Sequence, residues 1–316
     1  MINEFDKQGF NVGQWVGFGL LVAAIAAVGF ILNSHSNLTT TTITFPETQP
    51  VSGFDENHWY LPKEELLGFV AIPAGEFLMG SDPAIDGNAY ENERWSNRLR
   101  RGRVEVPEFY IGKFEVTVAQ FNAFIAAGGH VVDHSAISRE PGYPISSVTW
   151  ADALAYCRWL TQQMQASSDL PHGLQEKLQQ GWSITLPTEA QWEKAARGTE
   201  GRIYPWGNQA NANLANFKSG GLKEVGSTAC DDCSYGLTDM SGNVWELTRS
   251  FYLPYPFDQN QLPDLESDAL IVMRGGSYAD TENNVRTAVR GGVDPGVRNE
   301  AIGFRIVLSA NETPAQ

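Results

Sequence analysis

Cysteine is scarce in this chain, with three residues among 316, at positions 157, 230 and 233. A small fold stapled by many disulfides is therefore excluded. Cys230-Asp-Asp-Cys233 leaves three readings open: a small disulfide, a redox pair, or half of a zinc site. A zinc ribbon needs a second cysteine pair or nearby histidines, and neither follows, so a structural disulfide is the expectation. Cys157 falls on a helical stretch, where a buried, inert thiol is expected. Basic residues are also few, 22 against 37 acidic, for a formal charge of −15. Nucleic acid is excluded as the main partner, because gripping a phosphate backbone needs a basic face. Only five histidines occur, all before residue 173. A non-haem iron site of two histidines and a carboxylate finds one suggestive cluster, His130-Val-Val-Asp-His134, and a surface loop or helix-end cap is its plainer reading.

Charge is absent altogether from Trp15 to Leu32, a run of Val, Ala, Leu, Ile and Phe long enough to cross a bilayer. The Asn/Ser/Thr-rich sequence after it lacks a small-residue cleavage site, so the run reads as an uncleaved anchor. Lys7 is the only basic residue before it, and none follows until Lys63. That asymmetry predicts a single-pass protein with its N-terminus cytoplasmic and the rest periplasmic or otherwise extracytoplasmic. The expected organisation is a cytoplasmic tail (1–14), a transmembrane anchor (15–32), a linker (33–62) and one domain (63–312).

In the domain, Phe69–Gly80 reads as two short strands broken at Pro73-Ala-Gly75. Ser81 to Gly102 is a polar loop whose basic run comprises Arg94, Arg98, Arg100, Arg101 and Arg103. That run suits an anionic partner or a solvated loop. Val104–Val116 alternates as strands do. Thr117-x-x-Gln120 and Thr188-x-x-Gln191 are capping boxes, in which the hydroxyl and the amide satisfy each other's orphan backbone groups. A third helix begins near Thr149 and buries Leu154, Cys157 and Leu160. After Gly198 no helix is expected, and strands are placed near Ile271–Met273, Arg286–Arg290 and Phe304–Leu308. The class is α+β and loop-rich.

One stretch, Tyr235-Gly-Leu-Thr-Asp-Met-Ser-Gly-Asn-Val-Trp-Glu-Leu247, has neither helical nor strand periodicity. It is either a glycine-rich turn around a buried Trp245 or a loop folded on a hard cation. In the second case Asp239 and Glu246 would converge with backbone carbonyls between them.

Eight ordered stretches together resemble the formylglycine-generating enzyme (sulfatase-modifying factor) family over residues 69 to 309. They are Ile72–Gly80, Phe114–Thr117, Pro144–Trp150, Leu186–Glu193, Tyr204–Gly207, Gly236–Glu246, Arg274–Ser277 and Gly303–Arg305. The resemblance implies a single C-type-lectin-like domain braced by calcium. It assigns one calcium to the Asp239 and Glu246 carboxylates with the Gly242 and Val244 carbonyls. A second loop resembles Ala215–Lys218, with Asn216 and the Phe217 carbonyl as ligands, but the acidic loop that should complete it is replaced by Ser219-Gly-Gly-Leu-Lys223.

The same resemblance exposes a departure. The family's oxidases bind copper(I) through two cysteines shortly after Arg-Gly-Gly-Ser, and thiolates suit that soft ion. Here Asp280 stands where the first cysteine should be, and no cysteine follows Cys233. Copper chemistry is not expected, iron lacks a supporting ligand set, and structural calcium is the expected cofactor. Ser277 matches an active-site serine and Trp245 a tryptophan lining that region. Arg274, Asp280, Arg286 and Arg290 complete the candidate pocket, unless Arg274, Asp280 and Arg286 form a buried ion network. Two functions fit: an oxidase or maturation factor for a peptide-like substrate, or a non-catalytic module holding a protein, peptide or glycan partner.

Overall fold

The computed structural model describes residues 50–128, 134–257 and 269–310. These fall within one compact unit, Pro46–Gln316. Trp15–Leu32 and the tail before it lie outside the described residues, as do the linker to residue 49 and His130–Asp133 of the histidine cluster. Among the described residues no helix is long and apolar enough to cross a membrane. Strands Phe54–Asp55 and Leu61–Pro62 pair antiparallel, and Phe54 and Leu61 are buried.

Two four-stranded sheets organise the domain. The first runs in the order Phe69–Ile72, Phe109–Gly112, Val307–Ala310, Trp182–Thr185, all antiparallel. Its central strand comes from the C-terminal end of the domain. The second runs Gly291–Val293, Ile271–Arg274, Trp245–Phe251, Ile302–Gly303, with the last pair parallel. Gly75–Met79 and Gly102–Val106 form a separate antiparallel pair.

The helices start where the local chemistry predicts. Thr117 and Thr188 accept from the amides of Gln120 and Gln191 at 3.2 and 3.1 Å, and each glutamine returns the bond at 2.7 and 2.8 Å. They open the helices Val118–Ala126 and Glu189–Arg197. Thr149 and Asp152 do the same for Trp150–Ala166. Phe121, Phe124, Tyr156 and Phe304 then meet ring to ring in the core. Cys157 is buried and free, its thiol pushed up by burial, and Cys230 and Cys233 form the expected disulfide.

Past Gly198, a 3-10 turn at Ser234–Gly236 is the only helical element among the described residues. Arg286–Arg290 is not a strand; the strand comes later, at Gly291–Val293. The carbonyls of Thr287, Ala288 and Val289 cannot pair with a neighbouring strand because Arg274 takes all three, at 2.9, 3.0 and 2.8 Å.

Candidate functional site

The turn after Arg274 depends on its glycines. Gly275 and Gly276 have φ of +94° and +73°, and a Cβ at Gly276 would lie 2.6 Å from the Val285 side chain. The turn delivers Ser277 to Asp280. The amide and hydroxyl of Ser277 both donate to Asp280 Oδ2, at 3.0 and 2.7 Å. The Trp245 indole donates to the same oxygen at 2.9 Å, and Asn284 donates to Oδ1 at 2.9 Å. A carboxylate oxygen offers about two lone-pair sites, so Oδ2 is saturated while Oδ1 carries one donor. Asp280 and Trp245 are half-buried and Ser277 is buried, so the group lies just beneath the surface. The neighbouring Tyr278 opens onto a cleft of ≈ 430 Å³ that Arg139, Tyr143 and Glu300 also line. A second cleft of ≈ 380 Å³ shares Glu140 and Tyr143 with it.

The three arginines do not belong to this surface. Arg274 and Arg286 are fully buried and Arg290 nearly so. Arg274 pairs with Glu193, which also accepts from Arg197 at 2.7 Å. Arg286 is forked onto Glu93 at 2.7 and 2.9 Å and paired with Asp86 at 2.5 Å. Arg290 is forked onto Glu189 at 2.6 and 2.8 Å, its guanidinium 3.9 Å from the Tyr255 ring centroid. Burial alone would lower the pKa of Arg274, but Glu193, Tyr255 and Glu189 together raise it. The candidate pocket thus separates: Ser277, Trp245 and Asp280 come together, while Arg274, Arg286 and Arg290 brace the loops behind them. Asp280 is not part of that brace.

The Tyr235–Leu247 stretch folds around Arg305. Glu246, fully buried, accepts from Arg305 Nε and Nη2, both at 2.7 Å, and from the Trp192 indole at 2.6 Å. Asp239 accepts from the Gly226 amide at 2.7 Å and the Thr228 hydroxyl at 3.2 Å. A third acid, Glu115, is tied by one oxygen to Asn243 at 3.1 Å, and its other oxygen is buried without a partner. Burial, then the charges of Asp239 and Glu246, push Glu115 well above the usual carboxylate range; burial also raises Asp239. Sequence reasoning did not single out Glu115, whereas Asn243 lies in the Tyr235–Leu247 stretch with Asp239 and Glu246. Asn243, at φ +60°, also accepts from Asn216 at 3.0 Å, so it links both loops to which calcium was assigned.

Do these residues fit a divalent cation? On charge they do, because three buried acids face one guanidinium. On lone pairs they do too: Glu246 has spent three of about four and Asp239 two. Among the described residues no three His, Cys, Asp or Glu side chains converge on one point, so such an ion would depend on the Gly242 and Val244 carbonyls. The second set fits poorly. The Asn216 oxygen is taken by the Ser219 hydroxyl at 2.6 Å, its amide by Gly221 and Asn243, and the 219–223 loop brings no acid.

Over residues 45–310 the chain matches the model of the sulfatase-modifying factor enzyme 1-like domain. It is 29% identical over 305 residues to a Mus musculus protein named inactive C-alpha-formylglycine-generating enzyme 2, covering 76% of this chain and 85% of that one. It is 27% identical over 312 residues to the formylglycine-generating enzyme of Streptomyces coelicolor, covering 78% and 90%. Among solved structures, PvdO from Pseudomonas aeruginosa matches with a TM-score of 0.62 at 20% identity, over 76% of this chain and 94% of that one. The last likeness shows the fold.

Proposed function

The chain belongs to the sulfatase-modifying factor enzyme 1-like family, and we propose that it acts there as a binding module rather than as a copper-dependent oxidase. On this reading Trp15–Leu32 anchors it, the domain lies on the extracytoplasmic side, and a protein, peptide or glycan segment lies in the cleft bordered by Tyr278. The observation that carries the reading is Asp280. A carboxylate stands where a cuprous ion needs thiolate, and it is already engaged by donors from Ser277, Trp245 and Asn284. What is left is a recognition surface, with Tyr278 and Tyr143 as aromatic walls and Arg139 and Glu300 as polar groups. Similarity to a relative named inactive supports the same side. Calcium belongs to this proposal as a brace, held by Asp239, Glu246 and the carbonyls of Gly242 and Val244. It would neutralise buried acid there and take no part in a reaction.

Elemental analysis of the full chain, purified without chelator, tests the proposal. Calcium with neither copper nor iron is expected, and copper or iron near one per chain overturns it. Titration with peptides and cell-wall glycan fragments then tests the surface. Tyr278→Ala and Glu300→Ala should weaken binding at least tenfold while the far-ultraviolet spectrum stays unchanged. Parental affinity in both variants would move the ligand off this face.

A further inference from the structure

The basic run of the Ser81–Gly102 segment has no part in the surface around Asp280. Five arginines and no acid occur between Arg94 and Arg103 in a chain of formal charge −15. Arg94 pairs with Glu91 at 2.7 Å, and Arg103 lies 3.7 Å from Glu76. Arg98 and Arg100 are exposed, and among the described residues neither guanidinium has an ion-pair or hydrogen-bond partner. Between them stands Leu99, 61% exposed. Ile85 and Tyr90, 55% and 45% exposed, belong to the same segment, so it holds three of the five exposed large hydrophobics among the described residues.

This tip is built rather than loose. Trp95 donates to the Arg100 carbonyl at 2.9 Å and Ser96 to Leu99 at 2.8 Å, while the Ser96 hydroxyl accepts from the Leu99 amide at 2.9 Å. Trp95 packs on Tyr255, ring centroids 5.1 Å apart, and its indole covers Gly102, where a Cβ would lie 2.1 Å from it. The fold therefore holds Arg98, Leu99 and Arg100 out in a fixed turn.

We propose that the Ser96–Arg100 turn docks on an anionic lipid surface, with Arg98 and Arg100 on headgroup phosphates and Leu99 in the apolar boundary beneath them. A soluble polyanion would use the arginines and leave Leu99 in water; a bilayer surface uses all three. Chain length is compatible. Seventeen residues, 33–49, separate the expected anchor from the first described residue, and tethering of that kind raises the effective concentration of a domain surface at the bilayer. That tether argument rests on the anchored reading given above; the charge and the exposed leucine do not.

Leu99→Cys gives a clean probe position, because Cys157 is buried and Cys230 and Cys233 are bonded. The full chain carrying a polarity-sensitive dye at this position is mixed with phosphatidylcholine vesicles, then with vesicles of equal phosphatidylcholine and phosphatidylglycerol. A blue shift confined to the anionic vesicles and reversed by salt is expected, while a dye at Leu270→Cys stays unchanged. Arg98→Gln with Arg100→Gln should lower the docked-to-free ratio roughly 25-fold, about fivefold per arginine. Absence of a shift overturns the proposal, and so does an equal shift on neutral vesicles. An equal response to soluble dextran sulfate overturns it in favour of a polyanion site. Flotation with neutral vesicles reads the anchor by itself, so either idea can fail without the other.

Discussion

Replacing Glu246 by glutamine keeps the shape of the side chain and removes its charge. In the native fold that charge holds both arms of Arg305 at 2.7 Å, and its Oε2 also accepts the Trp192 indole at 2.6 Å. Breaking a buried pair from one side costs about 3–5 kcal/mol, because the other charge stays buried without its partner. Here the lower end applies. Arg305 still feels Glu115 and Asp239, which help raise its pKa against the burial that would lower it. About 3 kcal/mol corresponds to a melting temperature lower by roughly 6–12 °C in a domain of this size. Urea unfolding followed by tryptophan fluorescence measures it. The same titration run with calcium reads the brace. A ligand at a hundredfold its Kd adds about 2.7 kcal/mol to the native state, and Glu246→Gln should lose that increment in addition to its own deficit. A variant that unfolds at the parental urea midpoint would refute the Arg305 argument. A variant stabilised by calcium as much as the parent would remove Glu246 from the ligand set.

Three further outcomes follow from the geometry. Glu193→Gln should cost about 3–5 kcal/mol in urea unfolding, since in full burial Arg197 loses its charge partner and Arg274 the nearer of its two, Glu189 remaining at 3.4 Å; a change below about 1 kcal/mol would mean that these pairs contribute little. Gly242→Ala should destabilise by at least ~2 kcal/mol, because φ is +84° and the added methyl would sit 2.2 Å from the Asn216 carbonyl oxygen; a neutral result would show that the loop is free to shift. His58, hydrogen-bonded to Asp55 first and to the Asp169 carbonyl next, has a raised pKa. Its stabilising charge is complete below the unfolded value and lost as pH rises through the folded one. The small melting difference between the parent and His58→Ala should therefore shrink with rising pH, and a difference that grows would reverse the assignment.

What could be read from the chain in advance was local. Thr117, Thr149 and Thr188 cap helices through partners three residues away, and Cys230 meets Cys233 at the same separation, so short windows contained the whole interaction. Glu93 with Arg286, Glu189 with Arg290 and Glu193 with Arg274 lie roughly eighty to two hundred positions apart. Nothing in a window around Arg274 announces its partners. For that reason the sequence leaves Arg274 and Arg286 open between a pocket and a buried ion network, the second being what the structure shows, and it offers no sign that Arg286–Arg290 is held by Arg274 rather than in a strand. Ser277, Asp280 and Trp245 could be placed together because two of them share one turn and the ordered motifs supplied the third. Glu115 was missed because a lone acid in an alternating stretch has no local signature.

The burial of these arginines also shapes how the protein meets a protease. Trypsin needs an extended, accessible arginine, and Arg197, Arg274, Arg286, Arg290 and Arg305 are all withdrawn from it. Arg98 and Arg100 stand out on the Ser96–Arg100 turn, and a cut there requires that turn to open first. The two pieces would not separate. Gly75–Met79 on one side of the cut stays paired with Gly102–Val106 on the other, and Asp86 and Glu93 remain locked to Arg286. A nicked chain would run as two bands in denaturant and as one particle without it.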